Sequence, residues 1–253
     1  VLDRTMIGAI ISDKSEVGFY DQSQKIIKLL MTIITSLGTV MLPRIANTFA
    51  SGEKEKINNY MKRSFNMVFL LAFPMVFGII SVSKAFVPIF FGEGYDKVAI
   101  LMNVISPIIL FIGLSNVTGT QYLLPTKRQK EYTISVIIGA ITNFIMNACL
   151  IWKFGAIGAS IGTVIAEFTV TAVQLYFVRN DFDFKQIIKI SKNYVISSIA
   201  MFIVCIIIGS VVKSNMISII IQVIFGVGIY GVCLLALKDE FVNSIIKKVI
   251  HKK

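Results

Sequence analysis

Long apolar runs alternate with short polar connections along the whole chain, and the runs predict the architecture. Seven of them, Ile26 to Ile45, Phe65 to Val82, Ile100 to Leu124, Thr133 to Trp152, Ala156 to Val178, Tyr194 to Val212 and Met216 to Leu237, approach the ~20 residues a helix needs to cross hydrocarbon. An earlier run, Val1 to Ile11, is about half that length and is expected to be the end of a span that starts upstream. It lacks the basic leader and small-residue cleavage site of a signal peptide. The expected fold class is all-α, a polytopic transmembrane helical bundle. Most connections are too short for an independent domain. The longest, Ala46 to Ser64, holds Gly52 and a mixed-charge run expected to be helical. After Val82 a second short apolar stretch follows Lys84, which predicts a helix end at the outer interface anchored by Phe90, Phe91 and Tyr95. In the tail, Phe241, Val242, Ile245, Ile246, Val249 and Ile250 share one face with lysines around it, the pattern of an amphipathic helix lying on anionic membrane lipids.

Polar residues inside the runs are not scattered. Asp21, Lys25, Lys28, Thr32, Thr35 and Thr39 recur every three or four positions and so share one helix face. Ser135, Gly139, Asn143 and Asn147 repeat the pattern, as do Ser160, Thr163, Glu167, Thr171 and Gln174, and more loosely Ser106, Gly113, Asn116 and Thr120. The last two runs are nearly bare of it. The expected division is therefore a working lobe over residues 1–178 and, over 179–253, two peripheral spans with a basic cytoplasmic tail. A hydroxyl or amide stripe has a purely structural reading, interhelical hydrogen bonding at about 0.6 kcal/mol each. Gly158 and Gly162 form a GxxxG suited to close helix contact.

Charges are a different matter, because an ionisable side chain at mid-membrane costs about 2.5–3.5 kcal/mol even on the mildest scale. Glu167 stands at the centre of its run, and Asp3 lies beside Arg4 in the first. These two neighbours are about 100° apart on a helix and do not face each other. Lys25, Lys28 and Arg44 lie toward the ends of the second span, where charged side chains snorkel to the interface; Lys25 and Lys28 share the polar face with Thr32 and have lining a wet cavity as the other reading. Pro74 and Pro107 fall inside spans and are expected to bend them.

Composition agrees and narrows the function. Hydrophobic residues make up 55% of the 253, against roughly 45–50% in soluble domains, and mean hydropathy is +0.79. The net charge of +11 does not point to nucleic acid, since the cations sit in connections and no aromatic-basic platform accompanies them. Counted over alternate connections, seventeen Lys and Arg fall on one side and seven on the other, which makes the richer side cytoplasmic. Cys149, Cys205 and Cys233 are isolated in apolar runs and read as small core residues, and the single histidine, His251, is in the tail. No metal or cofactor is expected. A glycan polymerase is disfavoured by short outer connections without arginine, and an acyltransferase by the lack of a histidine in any span.

The order of motifs then carries a resemblance. DRxMIG (Asp3 to Gly8), EVGFY (Glu16 to Tyr20), LPR (Leu42 to Arg44), PxxxG (Pro74 to Gly78), FFGEGY (Phe90 to Tyr95), NxxxN (Asn143 to Asn147) and FGAIGASIGTVIAE (Phe154 to Glu167) together resemble the polysaccharide-type flippases of the multidrug/oligosaccharidyl-lipid/polysaccharide exporter superfamily. The resemblance implies a second six-helix lobe plus two additional C-terminal helices, with the N-terminal lobe as its missing partner. It also implies a multi-pass protein of the cytoplasmic membrane. Its cargo would be an undecaprenyl-diphosphate-linked oligosaccharide for capsule, O-antigen or another surface polysaccharide, moved by alternating access beside other polysaccharide assembly proteins and coupled to Na+ or H+. A peptidoglycan-precursor flippase and a cation-coupled drug exporter are the neighbouring alternatives. In this reading Arg4, Lys25 and Lys28 hold the anionic head group. Asp3 and Glu167 tune the cavity or couple the ion, and Thr32, Asn143, Asn147 and Gln174 complete the lining.

Overall fold

A computed structural model describes residues 2–212 and 215–250, and every regular element among them is helical. In chain order they are α1 (Leu2–Ile10), α2 (Ser15–Ala50), α3 (Lys54–Phe91), α4 (Asp96–Ile105), α5 (Ile108–Ser115), a π-helical segment (Asn116–Leu123), α6 (Gln129–Phe154), α7 (Ala156–Phe177), α8 (Phe184–Val211), α9 (Asn215–Ala236) and α10 (Glu240–Ile250). Among the described residues seven helical segments are long and apolar enough to span a membrane, α4, α5 and the π-helical segment together forming one of them. Lys213, His251, Lys252 and Lys253 and the side chains of Val249 and Ile250, on which part of the tail reading rests, lie outside the description.

Helix lengths correct two expectations. At ~1.5 Å per residue, α2 and α3 reach roughly 55 Å, well past a ~30 Å hydrocarbon core, so their ends project from it. Nearly all of the expected connection from Ala46 to Ser64 is consequently helix, and only Ser51 to Glu53 turn, with the Glu53 amide donating to the Thr48 carbonyl at 3.2 Å. Likewise α3 does not end near Val82. It continues through Lys84 and Pro88 to Phe91, where the Gly92 amide closes the last turn on the Pro88 carbonyl at 3.1 Å. The aromatic anchors become a stack: Phe90 meets Phe91, and Phe91 lies on Tyr95 with 5.7 Å between ring centroids. Among the three thiols only Cys205 is buried; Cys233 is half-buried and Cys149 is exposed on α6, so the core reading holds for one of them.

The prolines differ in effect. Pro74 leaves α3 continuous. Pro107 breaks its span into α4 and α5, and nine residues later, at Asn116, the helix widens to π geometry, the Leu124 amide reaching back five residues to the Gly119 carbonyl at 3.1 Å. Such widenings strain the backbone and need outside support. Support comes from α7: the Thr171 hydroxyl donates to the Phe111 carbonyl at 2.8 Å, and Gln174 accepts from Thr118 at 2.8 Å and donates to Ser135 of α6 at 3.1 Å.

Ile27, Ile34, Met61, Phe65, Leu101, Ile105 and Ile109 are fully buried where α2, α3, α4 and α5 meet, and α1 closes against α2, α6 and α7. The α6–α7 pair is the tightest. A methyl group at Gly158 would collide with the Leu150 backbone carbonyl, and one at Gly162 would displace the Asn147 side chain, so the GxxxG is a close contact surface between α6 and α7. Helices α8 and α9 pack on each other and on α3. Two tyrosines fasten them: Tyr194 shares its one hydroxyl proton between the Asn66 side-chain oxygen at 2.9 Å and Asp239 at 3.2 Å, and Tyr230 donates to the Leu70 carbonyl at 2.9 Å.

Candidate functional site

A cavity of about 640 Å3 opens among α1, α2, α5 and α7. It is floored by Met31, Ile108 and Ile112 and edged by Asp3, Arg4, Asp21, Lys28 and Glu167, two cations and three carboxylates in one lining. Periodicity places them there: Asp21 and Lys28 are seven apart on α2, and Thr163 and Glu167 four apart on α7, so each pair faces one way.

Asp3 is the best-connected group. One carboxylate oxygen accepts from Asn147 of α6 at 2.6 Å; the other accepts from the Tyr20 hydroxyl at 2.9 Å and lies 3.4 Å from the Thr163 hydroxyl. Tyr20 in turn accepts from Gln24 at 2.9 Å and shares a hydrogen bond with Thr163 at 3.1 Å. One half-buried acid therefore joins four helices. Charge-assisted hydrogen bonds of this kind are roughly twice as strong as neutral ones, which is how an intramembrane carboxylate is held in place. The Asn147 carbonyl oxygen is buried without a hydrogen-bond donor among the described residues.

Arg4 turns away from its neighbour and pairs with Asp21 at 3.1 Å, its own side chain 62% exposed toward the cavity mouth. Glu167 has neither an ion pair nor a hydrogen bond on its carboxylate among the described residues and stays an unpartnered acid on the wall. Lys28 likewise lines the cavity without an ion pair among the described residues.

The remaining candidates lie elsewhere. Lys25 is off the cavity, exposed, with its ammonium 3.4 Å from Gln22. The Thr32 hydroxyl donates to the Leu29 carbonyl of its own helix at 2.6 Å. Asn143 sits behind the site, accepting from Asn147 at 3.2 Å. Gln174 belongs to the separate buried knot that braces the π-helical segment. Sequence reasoning missed Tyr20 and Gln24 as site residues; the signal available was their spacing of four on the apolar face of α2, where a tyrosine and an amide need polar company.

Both ends of the lobe are pinned by ions that periodicity did not single out. At one end Glu16, 8% exposed, pairs with Lys97 of α4 and accepts from the Ala156 amide at 2.9 Å. A carboxylate thus caps the positive N-terminus of α7. Gly155 makes room for it, with φ at +56° and no Cβ to strike the carboxylate. At the other end Arg128 pairs with Asp181, reaches Glu131 at 3.0 Å and donates to the Phe177 carbonyl at 2.9 Å. Burial pulls the Arg128 pKa down, but the hydrogen bonds to Glu131 and Asp181 outweigh it and the net shift is upward.

The family model described as "Lipid II flippase MurJ" matches residues 5–228. The chain belongs to this MurJ-like family of flippases. These are transporters, not enzymes, and the chain is accordingly a multi-pass protein of the cytoplasmic membrane. A "Putative O-antigen transporter" of Escherichia coli K12 is 28% identical over 176 residues, covering 70% of this chain and 42% of that protein. A "Probable low-salt glycan biosynthesis flippase" of Haloferax volcanii is 22% identical over 190 residues, 74% of this chain and 40% of the relative. The "Lipid II flippase MurJ" of Bacillus subtilis is 25% identical over 145 residues, 56% of this chain and 26% of the relative. Among solved structures, a "Lipid II flippase MurJ, inward closed conformation" superposes with a TM-score of 0.80 at 20% identity, over 97% of this chain and 51% of the other, which establishes the MurJ-like fold. The chain spans less than half the length of these curated relatives.

Proposed function

We propose that this chain forms one lobe of a flippase that moves an undecaprenyl-diphosphate-linked oligosaccharide from the cytoplasmic to the outer leaflet by alternating access, for a surface polysaccharide. Residues 1–178 are the transporting lobe and 179–253 its periphery, and a second lobe completes the cavity. The observation that carries this reading is the mixed lining. A diphosphate needs cations in a wet lumen, which Arg4 and Lys28 supply. The sugars need hydroxyl and carboxylate partners, and the prenyl tail can stay in lipid. Asp3 and the unpartnered Glu167 are the groups through which Na+ or H+ would couple. The cation-rich connections lie on the cytoplasmic side, which puts the Glu16–Lys97 lock at the outer end and Arg128 at the inner.

A second reading, peptidoglycan precursor as cargo, is favoured by the description of the matching family model. Both cargoes share the prenyl diphosphate and therefore the same demand for Arg4 and Lys28. Export separates them. With its partner lobe supplied in cells lacking their own flippase, the protein is expected to restore surface polysaccharide and not peptidoglycan synthesis; restoration of peptidoglycan synthesis alone selects the second reading. At matched expression the double variant Arg4→Ala, Lys28→Ala should lose at least about tenfold in export, as two weakened charge-assisted contacts require, while Lys25→Ala keeps it. Full export by the double variant refutes the head-group role.

A further inference from the structure

A second cavity, of about 560 Å3, shares no lining residue with the first and is walled by α3, the start of α8 and the turn from α9 to α10. Five cations line it: Lys62 and Arg63 of α3, Lys189 and Lys192 of α8, and Lys238 of the turn. Among the described residues none of the five forms an ion pair. Two carboxylates share the wall, but Asp239 is committed: its oxygens accept from the Phe241 and Val242 amides at 3.1 Å, from Tyr194 at 3.2 Å and from Asn193 at 3.2 Å. It caps α10, and Glu240, the second carboxylate, forms no ion pair among the described residues, so neither acid takes up the cations.

The place of the cavity says what fits it. The apolar run of α3 begins at Phe65, that of α8 at Tyr194, and that of α9 ends at Leu237, so three spans pass from polar to apolar at this one level. Below it the surface is hydrocarbon-like: Ile196, Ile199 and Leu235 are all more than 40% exposed. Beside it runs α10, with Lys247 and Lys248 in its last turn. The turn that brings Lys238 to the rim is itself constrained. Lys238 adopts φ of +53°, and the Lys238 and Asp239 amides close α9 on the Leu235 and Leu234 carbonyls at 3.0 and 3.1 Å. An unpaired cluster of cations at the polar–apolar boundary of three spans, with exposed aliphatic side chains leading from it, matches an anionic head group whose acyl chains run down the helices.

We propose that this cavity is a binding site for an anionic phospholipid, its phosphate held by Lys189, Lys192 and Lys238 and by Lys62 and Arg63 opposite. The bound lipid ties α8 and the α9–α10 turn to α3 at the membrane surface.

Native mass spectrometry of the whole chain in mild detergent tests it, with phosphatidylglycerol, phosphatidylcholine and inorganic phosphate as probes. Phosphatidylglycerol is expected to bind and phosphatidylcholine not. The triple variant Lys189→Gln, Lys192→Gln, Lys238→Gln should weaken phosphatidylglycerol binding at least about tenfold. Triple substitution of Lys54, Lys127 and Lys130 by Gln, which removes as much charge outside the cavity, should leave it unchanged. Should the cavity triple fail to fold, the three single Lys→Gln variants and the charge-preserving Lys→Arg triple decide: the singles must each weaken binding and the Arg triple must retain it. Equal losses from both triples, equal binding of phosphatidylcholine, or inorganic phosphate binding as tightly as the lipid each overturns the proposal.

Discussion

Replacing Gly162 with alanine tests whether the helix contact and the half-buried acid Asp3 form one mechanical unit. Gly162 has ordinary helical geometry, so alanine would by propensity alone stabilise α7 by about 1 kcal/mol. The structure predicts the opposite sign, because the new methyl group would strike the Asn147 side-chain oxygen, and Asn147 is fully buried. The amide must rotate, and its nitrogen then leaves Asp3, which it holds at 2.6 Å. Losing one hydrogen bond to a charged acceptor costs about 1.5–3 kcal/mol, so after the propensity gain the net expectation is a loss of ~0.5–2 kcal/mol. Reversible unfolding of the purified protein in mixed detergent measures it. A double-mutant cycle with Asp3→Asn separates this route from simple crowding. Gly162→Ala and Asp3→Asn should be non-additive by ~1 kcal/mol, since both break the same contact. Gly139→Ala, whose methyl would meet Val170 of α7, should be additive with Asp3→Asn to within about 0.5 kcal/mol. Additivity for the Gly162 pair, or a stabilised Gly162→Ala protein, would refute the coupling.

Two further outcomes follow from the pinned ends. Glu16→Gln removes the charged partner of Lys97 and the charged cap of α7, and should cost ~2–3 kcal/mol in the same unfolding assay; adding Lys97→Met to the Glu16→Gln protein should recover part of it. Lys127 sits in the left-handed region at φ +63° after Leu124, where glycine carries no steric penalty. Lys127→Gly should therefore stabilise by about 1 kcal/mol, visible as a raised melting temperature, whereas an unchanged or lowered value would show that its side chain compensates for the strain.

The spans were legible in the sequence because burial in lipid demands long uninterrupted apolar helices, and nothing but length and composition is needed to see them. So were the polar faces, since a period of 3.6 fixes which residues look the same way. Asp3, Arg4, Lys28 and Glu167 could be singled out because a charge at membrane depth is costly wherever it packs. The sequence could not say which charges converge. Lys25 and Lys28 occupy almost the same stripe of α2, yet one turn of tertiary placement puts Lys28 on the cavity and leaves Lys25 outside. Nor could it tell a cavity lining from a brace: Gln174 and Glu167 share a stripe on α7, but Gln174 is taken up by Thr118 and Ser135 at the π-helical segment. Glu16, Tyr20 and Lys97 acquire their roles through partners as far as 143 residues away. Helix periodicity is a local property of the backbone and is written in the chain. Which faces meet depends on close packing between helices, down to the two glycines that let α7 approach α6, and that is settled only when the whole lobe assembles.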